Sequence, residues 1–149
     1  MLRVFLLLVL FVTVASGCQI AGPDDPRTST DAQQRSKWDA YQNGTYEFTI
    51  IRGCFCINGG EHQVVVTDNK VSSAYSVWRE EAYPAEQLEY FETVDDLFDM
   101  LERAREEADD VSVTFSEHGY PSELVIDWIK EAVDDEIAFT ISKVTVPKN

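Results

Sequence analysis

Six short runs of strand-forming residues, joined mainly by short turns, constrain the fold of this chain more than any other feature. They fall into two groups of three, and a segment with helical spacing precedes each group. Consecutive strands joined by short turns pair antiparallel. The pattern therefore predicts a two-layer α+β fold in the order α-β-β-β-α-β-β-β, with a mostly antiparallel sheet of about six strands and two helices on one face.

The clearest strand begins with Tyr46, Phe48 and Ile50, which alternate with polar residues. This period of two indicates a half-buried strand, and Asn58-Gly59-Gly60 ends the segment that follows it. The other predicted strands are residues 62–67, 71–78, 111–116, 123–129 and 137–146.

Both predicted helices have start signals. Thr30 followed by Gln33 fits a capping box and begins a helix of about residues 30–42. Thr93 is suited to cap the second helix, with Asp96 at its third position. Behind this cap lies an apolar stripe at helical spacing, formed by Leu97, Phe98, Leu101, Ala104 and Ala108.

The first 18 residues follow a separate pattern. Arg3 makes the start positive, residues 4–14 are apolar, and Ala15-Ser16-Gly17-Cys18 places a cysteine after small residues. The apolar run is about half the roughly twenty residues that span a bilayer, so it indicates a signal peptide over residues 1–17. The segment resembles the bacterial lipobox, which implies cleavage before Cys18 and a diacylglyceryl group on its sulfur. Ordinary signal-peptidase cleavage is the alternative, because Ala15 stands where the lipobox usually has Leu.

A lipid on Cys18 predicts the location of the protein. Two or three acyl chains hold a protein on its membrane almost permanently, so we expect a lipoprotein of the bacterial cell envelope. Because Gln19 is not the Asp that retains enteric lipoproteins on the inner membrane, the resemblance implies the periplasmic face of the outer membrane, or the cell surface, in a Gram-negative host. Residues 18–30 are rich in turn formers and predict a flexible tether, which leaves residues 31–149 as a single domain.

The net charge disfavours one class of partner. The chain has 27 acidic and 12 basic residues, and removal of residues 1–17 takes away only Arg3, which leaves a formal charge of −16. Nucleic acid and anionic lipid headgroups repel such a surface, so no nucleic-acid partner is expected. A hydrophobic content of 44% nevertheless favours a folded domain over global disorder.

Lipidation of Cys18 leaves an even pair of cysteines, Cys54 and Cys56. In an ideal strand their Cα atoms would lie about 6.6 Å apart, near the upper limit for a disulfide. A bridge therefore needs a bend, which Gly53 can supply. We expect a small structural disulfide, while a reducible redox pair, metal binding and two unpaired thiols stay open as alternatives.

The sequence shows no recognisable catalytic set. A cysteine nucleophile needs a base, and His62 and His118 are the only histidines. We expect His62 to be exposed at the start of a strand and His118 to lie in a turn. Nucleophile elbows, phosphate loops and dinucleotide fingerprints are absent from the sequence, so a non-enzymatic protein is predicted. The alternative is a thiol-based redox or hydrolytic enzyme that uses Cys54 and Cys56.

Two acidic clusters are candidate cation ligands, one at the end of the second helix and one before the last strand. They comprise Glu106, Glu107, Asp109, Asp110, Asp134, Asp135 and Glu136. Carboxylates at a helix C-terminus are unfavourable, although pairs from Arg103 and Arg105 to Glu107 and Asp109 would offset part of the cost. No calcium-loop spacing is present, so a solvated face is favoured and no cofactor beyond the lipid is expected. A calcium-dependent surface module is the alternative function.

The long connection over residues 79–92 carries candidate partner-binding residues, Tyr83, Leu88, Tyr90 and Phe91. Loops of this length are often functional or fold back as covers. These side chains therefore either cap the sheet edge or form a contact patch. We favour a binding module whose partner is another envelope protein, met through this loop or through the acidic face.

Five short motifs occur in order along the chain. They are Cys54-Phe55-Cys56, Thr93-Val94-Asp95-Asp96-Leu97-Phe98, Gly119-Tyr120-Pro121, Ile126-Asp127 and Asp134-Asp135-Glu136. Together they resemble a bacterial family of small exported proteins and lipoproteins known only as a domain of unknown function. The resemblance covers nearly all of residues 36–146. It implies a fold and a location, and no activity, because that family has none assigned.

Overall fold

A computed structural model describes residues 26–56 and 58–148 of the chain. The predicted signal peptide, Cys18, Gln19 and residues 18–25 of the predicted tether lie outside the described residues. The elements in chain order are α1 (Pro26–Tyr41), β1 (Tyr46–Gly53), β2 (Gly60–Thr67), β3 (Lys70–Ser76), β4 (Glu81–Ala82), a 3₁₀ helix (Ala85–Tyr90), α2 (Val94–Glu107), β5 (Asp110–Phe115), β6 (Pro121–Asp127) and β7 (Ile137–Thr145).

The strands form one antiparallel sheet of seven strands in the order β4-β3-β2-β1-β7-β6-β5. The predicted α+β class is therefore confirmed. The last strand lies beside the first, with Ile51 opposite Thr140 and Gly53 opposite Ala138. This central pairing joins the two halves of the chain in one sheet.

The prediction of six strands was wrong by one. The third predicted strand ran to residue 78, but β3 ends at Ser76 and the chain turns through residues 77–80, where Glu80 has a left-handed φ of 55°. Glu81 and Ala82 then return to pair with Ser76 and Tyr75. A strand of two residues is too short to leave a periodic pattern in the sequence.

The two helices differ in how well the sequence predicted their starts. α1 begins at Pro26, so the predicted cap Thr30 lies inside the helix; proline suits a first helical position because it lacks the N–H that would be unpaired there. α2 has the predicted capping box: Thr93 Oγ1 accepts from the N–H of Asp96, and the Asp96 carboxylate accepts from the N–H of Thr93. The spacing of Thr93 and Asp96 in the sequence thus predicted the start of α2 correctly.

Both helices pack on the same face of the sheet. The ring of Trp38 in α1 lies 4.9 Å from that of Tyr46, whose hydroxyl accepts from the N–H of Val94 at the start of α2. The predicted stripe of α2 is buried at Leu97, Phe98, Leu101 and Ala104. The core therefore lies between the helices and one face of the sheet.

Antiparallel pairing gives the sheet two unlike ends. The connections β1–β2, β3–β4 and β6–β7 lie at one end, which we call the loop end. The turns β2–β3 and β5–β6 lie at the other, the turn end. The candidate site lies beside the loop end.

Candidate functional site

A buried ion pair lies at the centre of the candidate site. β1 places Arg52 on the same face as the core residues Phe48 and Ile50, and only 9% of its side chain is exposed. The guanidinium group donates to the Glu92 carboxylate and, at 2.8 Å, to the carbonyl of Tyr90. A buried charge needs such partners, because losing one leaves an uncompensated ion in a medium of low polarity.

Aromatic rings enclose the Arg52 guanidinium group. Its central carbon lies 5.9 Å from the ring centre of Phe91 and 5.8 Å from that of Phe139. Positive charge over a ring face is favourable, more so away from water. The pair and the rings together fix the segment before α2 against the end of β1.

His62 is buried beside this ion pair, and the expectation that it is exposed was wrong. The residue is 2% exposed, and its ring packs against those of Tyr83 and Phe91, with ring centres 5.6 and 5.3 Å away. Burial lowers the pKa of His62, and the charges of Arg52 and Arg79 lower it further. The imidazole is therefore neutral near pH 7.

The hydrogen bond of His62 defines its tautomer. Nε2 lies 3.0 Å from the carbonyl oxygen of Asn58, and a carbonyl only accepts, so Nε2 carries the hydrogen. Nδ1 is buried and has no hydrogen-bond partner among the described residues. The ring thus ties the start of β2 to the loop that precedes it.

Cys54 and Cys56 form a disulfide, as predicted, in the bend that follows Gly53. Their Cα atoms lie 5.3 Å apart, closer than an extended strand permits. Both sulfur atoms are bonded, so neither is a thiolate in this state. The second histidine, His118, lies at the turn end, where its ring stacks on Tyr41 at 3.9 Å. The structure therefore does not bring His118 to the cysteines.

An open groove of about 1120 Å³ runs from this disulfide to the start of α2. It is lined by Arg52, Cys56, Asn58, Glu86, Gln87, Glu89, Tyr90, Phe91, Glu92 and Asp96. Four of these side chains are carboxylates, and the one cation, Arg52, is already paired with Glu92. The groove is therefore acidic, and we call it the acidic groove.

Of the four residues predicted to contact a partner, three pack on the core and cover the edge of the sheet, and one is exposed in the acidic groove. Phe91 is buried, and Tyr83 and Leu88 pack half-buried against the core, which is the packing of a cover. Tyr90 is 54% exposed and lines the acidic groove. The sequence analysis did not identify four residues of the groove, namely Arg52, Glu86, Glu89 and Glu92. Only Arg52 had a sequence signal, because the alternation of β1 places it on the same face as Phe48 and Ile50.

The two acidic clusters meet at the β6–β7 loop, where Asp109 and Asp135 bind neighbouring backbone N–H groups. Among the described residues, no three His, Cys, Asp or Glu side chains are placed to hold a metal ion. The Asp109 carboxylate accepts from the N–H of Lys130 at 2.8 Å, and that of Asp135 accepts from Ile129 at 2.6 Å. These two side chains order the β6–β7 loop. The other five candidates, Glu106, Glu107, Asp110, Asp134 and Glu136, are exposed.

The two arginines near the end of α2 have other partners than predicted. Arg105 pairs with Asp31 of α1, with Nε to Oδ2 at 2.9 Å. Arg103 lies over the ring of Trp128, 4.9 Å from its centre. Contacts between elements replaced the pairs within one helix that the spacing indicated.

The fold and groove define a two-layer α+β domain with an antiparallel sheet. No helix in the described part of the chain combines the length and apolar character needed to cross a bilayer. Residues 30–146 match the model of a family of unknown function, DUF6174, and the chain belongs to that family. The predicted resemblance to a domain of unknown function is therefore confirmed over a slightly longer range. No curated protein and no solved structure matches the chain.

Proposed function

We propose that this protein is a lipid-anchored lipoprotein of the bacterial cell envelope whose domain is a non-enzymatic binding module. Its partner is a basic segment of another envelope protein, held in the acidic groove. The observation that carries the proposal is the coincidence of two candidate features at one place: the exposed Tyr90 of the predicted contact loop and a rim of carboxylates.

Charge supports a basic partner. Glu86 and Glu89 stand on the rim and have no cation of the groove opposite them, because Arg52 is paired with Glu92. A formal charge of −16 on residues 18–149 adds long-range attraction for a cation. Complementary charge raises association rates and selects partners more than it raises affinity.

Tyr90 supports a peptide-like partner. Its ring is more than half exposed, while its carbonyl is held by Arg52, so the residue is fixed and its side chain is presented. Aromatic side chains with a rigid backbone are frequent centres of binding energy. A lysine or arginine side chain meets both the ring face and the nearby carboxylates of Glu86 and Glu89.

The anchor has its own test. Metabolic labelling with tritiated palmitate is expected to label the wild-type protein and not the Cys18→Ser variant. Equal labelling of both proteins would contradict lipidation at Cys18. Labelling of neither would contradict the anchor altogether.

The groove is tested by photo-crosslinking in intact cells. A benzoylphenylalanine at position 90 is expected to capture a discrete partner, whereas the same group at Tyr75 is the control, because Tyr75 is 37% exposed on the sheet face opposite the helices. The double variant Glu86→Lys/Glu89→Lys is expected to abolish capture from position 90. Capture from both positions alike, or capture that survives this charge reversal, would contradict the proposed site.

A further inference from the structure

We propose that the loop end of the sheet docks on the surface of a zwitterionic bilayer, through four exposed apolar side chains. They are Phe55, Trp78, Ile129 and Val133, which we call the apolar tip. The inference rests on the lipid anchor of the proposed function and adds an orientation to it. The anchor holds the protein on the membrane, and the apolar tip decides which surface faces it.

The apolar tip holds the most exposed large hydrophobic side chains among the described residues. Phe55 is 91% exposed, Trp78 and Val133 are each 86% exposed, and Ile129 is 58% exposed. Solitary exposed apolar residues are ordinary, but several at one place mark a contact surface. At the turn end the exposed ring is Tyr41, which is 36% exposed and stacked on His118.

Strand register brings the four residues to one end. β1 ends at Gly53 opposite Ala138 of β7, so the bend with Phe55 lies next to the loop 128–136 that carries Ile129 and Val133. β3 ends at Ser76 opposite His62 of β2, so the turn with Trp78 lies on the other side of the same bend. Three loops from three parts of the chain therefore share one end of the sheet.

Local bonds present these side chains outward. The disulfide holds Phe55 in a ring between Cys54 and Cys56. The turn at Trp78 is held by the bond from Val77 N–H to the Glu61 carbonyl, at 3.1 Å. The tip is therefore carried on hydrogen-bonded and cross-linked turns.

Similar bonds order the third loop. The N–H of Ala132 donates to the carbonyl of Ile129 at 2.7 Å, and Ile129 N–H donates to Asp135. Both tip residues of this loop thus project from a closed turn. Apolar side chains that are already held in place lose less conformational entropy when they enter a bilayer.

The position of the anchor favours a bilayer as the occupant. Cys18 precedes Pro26 by eight residues, which span at most about 29 Å when fully extended. Asp31, early in α1, pairs with Arg105 in the last turn of α2, and that turn leads to β5, which begins at the loop end. The anchor therefore keeps the start of α1 within about 29 Å of the membrane, and so keeps the surface of this small domain, the apolar tip included, at a high effective concentration there.

The chemistry of the tip defines the lipid. Tryptophan and phenylalanine favour the membrane interface, and isoleucine and valine add apolar area. The loop that carries Ile129 and Val133 is acidic, since Lys130 stands beside Glu131, Asp134, Asp135 and Glu136. Anionic headgroups repel this loop, so zwitterionic phosphatidylcholine-like or phosphatidylethanolamine-like surfaces are the expected partners.

The test uses the full lipidated protein in phosphatidylcholine vesicles whose acyl chains carry bromine, a quencher of tryptophan emission. Trp38 is buried in the core and Trp128 is half-buried, so Trp78 is the exposed probe. We expect quenching in the wild-type protein, its loss in Trp78→Phe and its retention in Trp128→Phe. The pair of variants assigns the signal to the tip.

A second variant tests the tip without removing the probe. Phe55→Ser/Val133→Ser is expected to reduce the quenching of Trp78 at least about twofold, because half of the apolar contacts are gone. Ile51→Ser is the matched control, because Ile51 lies on the open sheet face and is 45% exposed. Added anionic lipid is expected to lower quenching as well.

Flotation of the vesicles separates this inference from the anchor. Protein that fails to float contradicts the anchor of the proposed function. Protein that floats while Trp78 stays unquenched overturns the docking inference and leaves the anchor standing. Photo-crosslinking of position 78 to a protein in cells, without quenching in vesicles, overturns it in favour of a protein interface.

Discussion

At the turn end, Asp68 and Asn69 join β2 to β3 in two residues with φ of 53° and 59°, whereas at the loop end the β6–β7 connection takes nine residues, 128–136. A turn of two residues with positive φ matches the twist of the two strands that it joins. So short a turn does not extend beyond the ends of the strands. The longer loops extend beyond the strands, so their side chains meet solvent or a partner.

The two ends also differ in what they bury. The turn end buries aromatic contacts, with Trp38 5.7 Å from the ring of Tyr120. The loop end buries polar groups, Arg52 with Glu92 and the neutral His62, next to the groove and the apolar tip. The turn end is therefore closed by apolar packing against α1, while the loop end depends on a buried ion pair and keeps exposed apolar groups where binding is proposed.

The largest effect is expected at the buried ion pair of the loop end. Glu92→Ala leaves Arg52 without its carboxylate, and the free energy of unfolding should fall by about 3–5 kcal/mol. Urea denaturation measures this loss. The control is Glu81→Ala, which breaks the exposed pair with Arg79 and should cost less than about 1 kcal/mol. Equal losses in both variants would show that Arg52 does not depend on Glu92.

The next largest effect is expected at Gly119 of the turn end. Its φ is +93°, and an added Cβ would lie 2.3 Å from the backbone carbonyl of Gln34 in α1. Gly119→Ala should therefore lower the free energy of unfolding by about 2–4 kcal/mol.

Gly60 of the loop end is the matched control for Gly119. Its φ is +105°, but an added Cβ meets nothing within 4 Å. Gly60→Ala should cost only the conformational strain, about 1–2 kcal/mol. If denaturation gives the same loss for both variants, close packing of the turn end against α1 is not what requires Gly119.

A smaller effect is expected from the disulfide. Cys54→Ser/Cys56→Ser opens a ring of only three residues, so thermal unfolding should show a loss below about 2 kcal/mol. The quenching of Trp78 in vesicles is the second readout, and it should weaken because Phe55 is no longer held. A loss of stability as large as that of Glu92→Ala would mean that the bridge supports the whole loop end.

The smallest effect is expected from the titration of His62. Its pKa is lowered on folding, so the unfolded chain binds a proton first as the pH falls below about 6.5. The contribution of His62 to the free energy of unfolding is therefore complete above about pH 6.5 and is lost as the pH falls from there to the lower pKa of the folded state. Wild type should therefore lose more stability than His62→Phe between pH 7.5 and 5.5 in urea titrations. If wild type and His62→Phe lose the same stability over this range, the pH dependence comes from groups other than His62.

Local patterns were enough to predict much of the fold. The alternation at Tyr46, Phe48 and Ile50 predicted β1, and Thr93 with Asp96 predicted the capping box of α2, because both signals lie within a few residues. The seventh strand escaped prediction because two residues carry no period. The ion pair escaped it because Arg52 and Glu92 are 40 residues apart.

The α+β class and the acidic charge follow from the sequence alone, and so do the expectations of a disulfide between Cys54 and Cys56 and of a lipid anchor at Cys18. Each depends on composition or on neighbours along the chain. The tertiary structure alone decided that β7 pairs with β1, that His62 is buried, that Tyr90 meets Glu86 and Glu89 in a groove, and that Phe55, Trp78, Ile129 and Val133 share one end. These depend on strand order and register, which bring distant residues together through long-range packing rather than local preference.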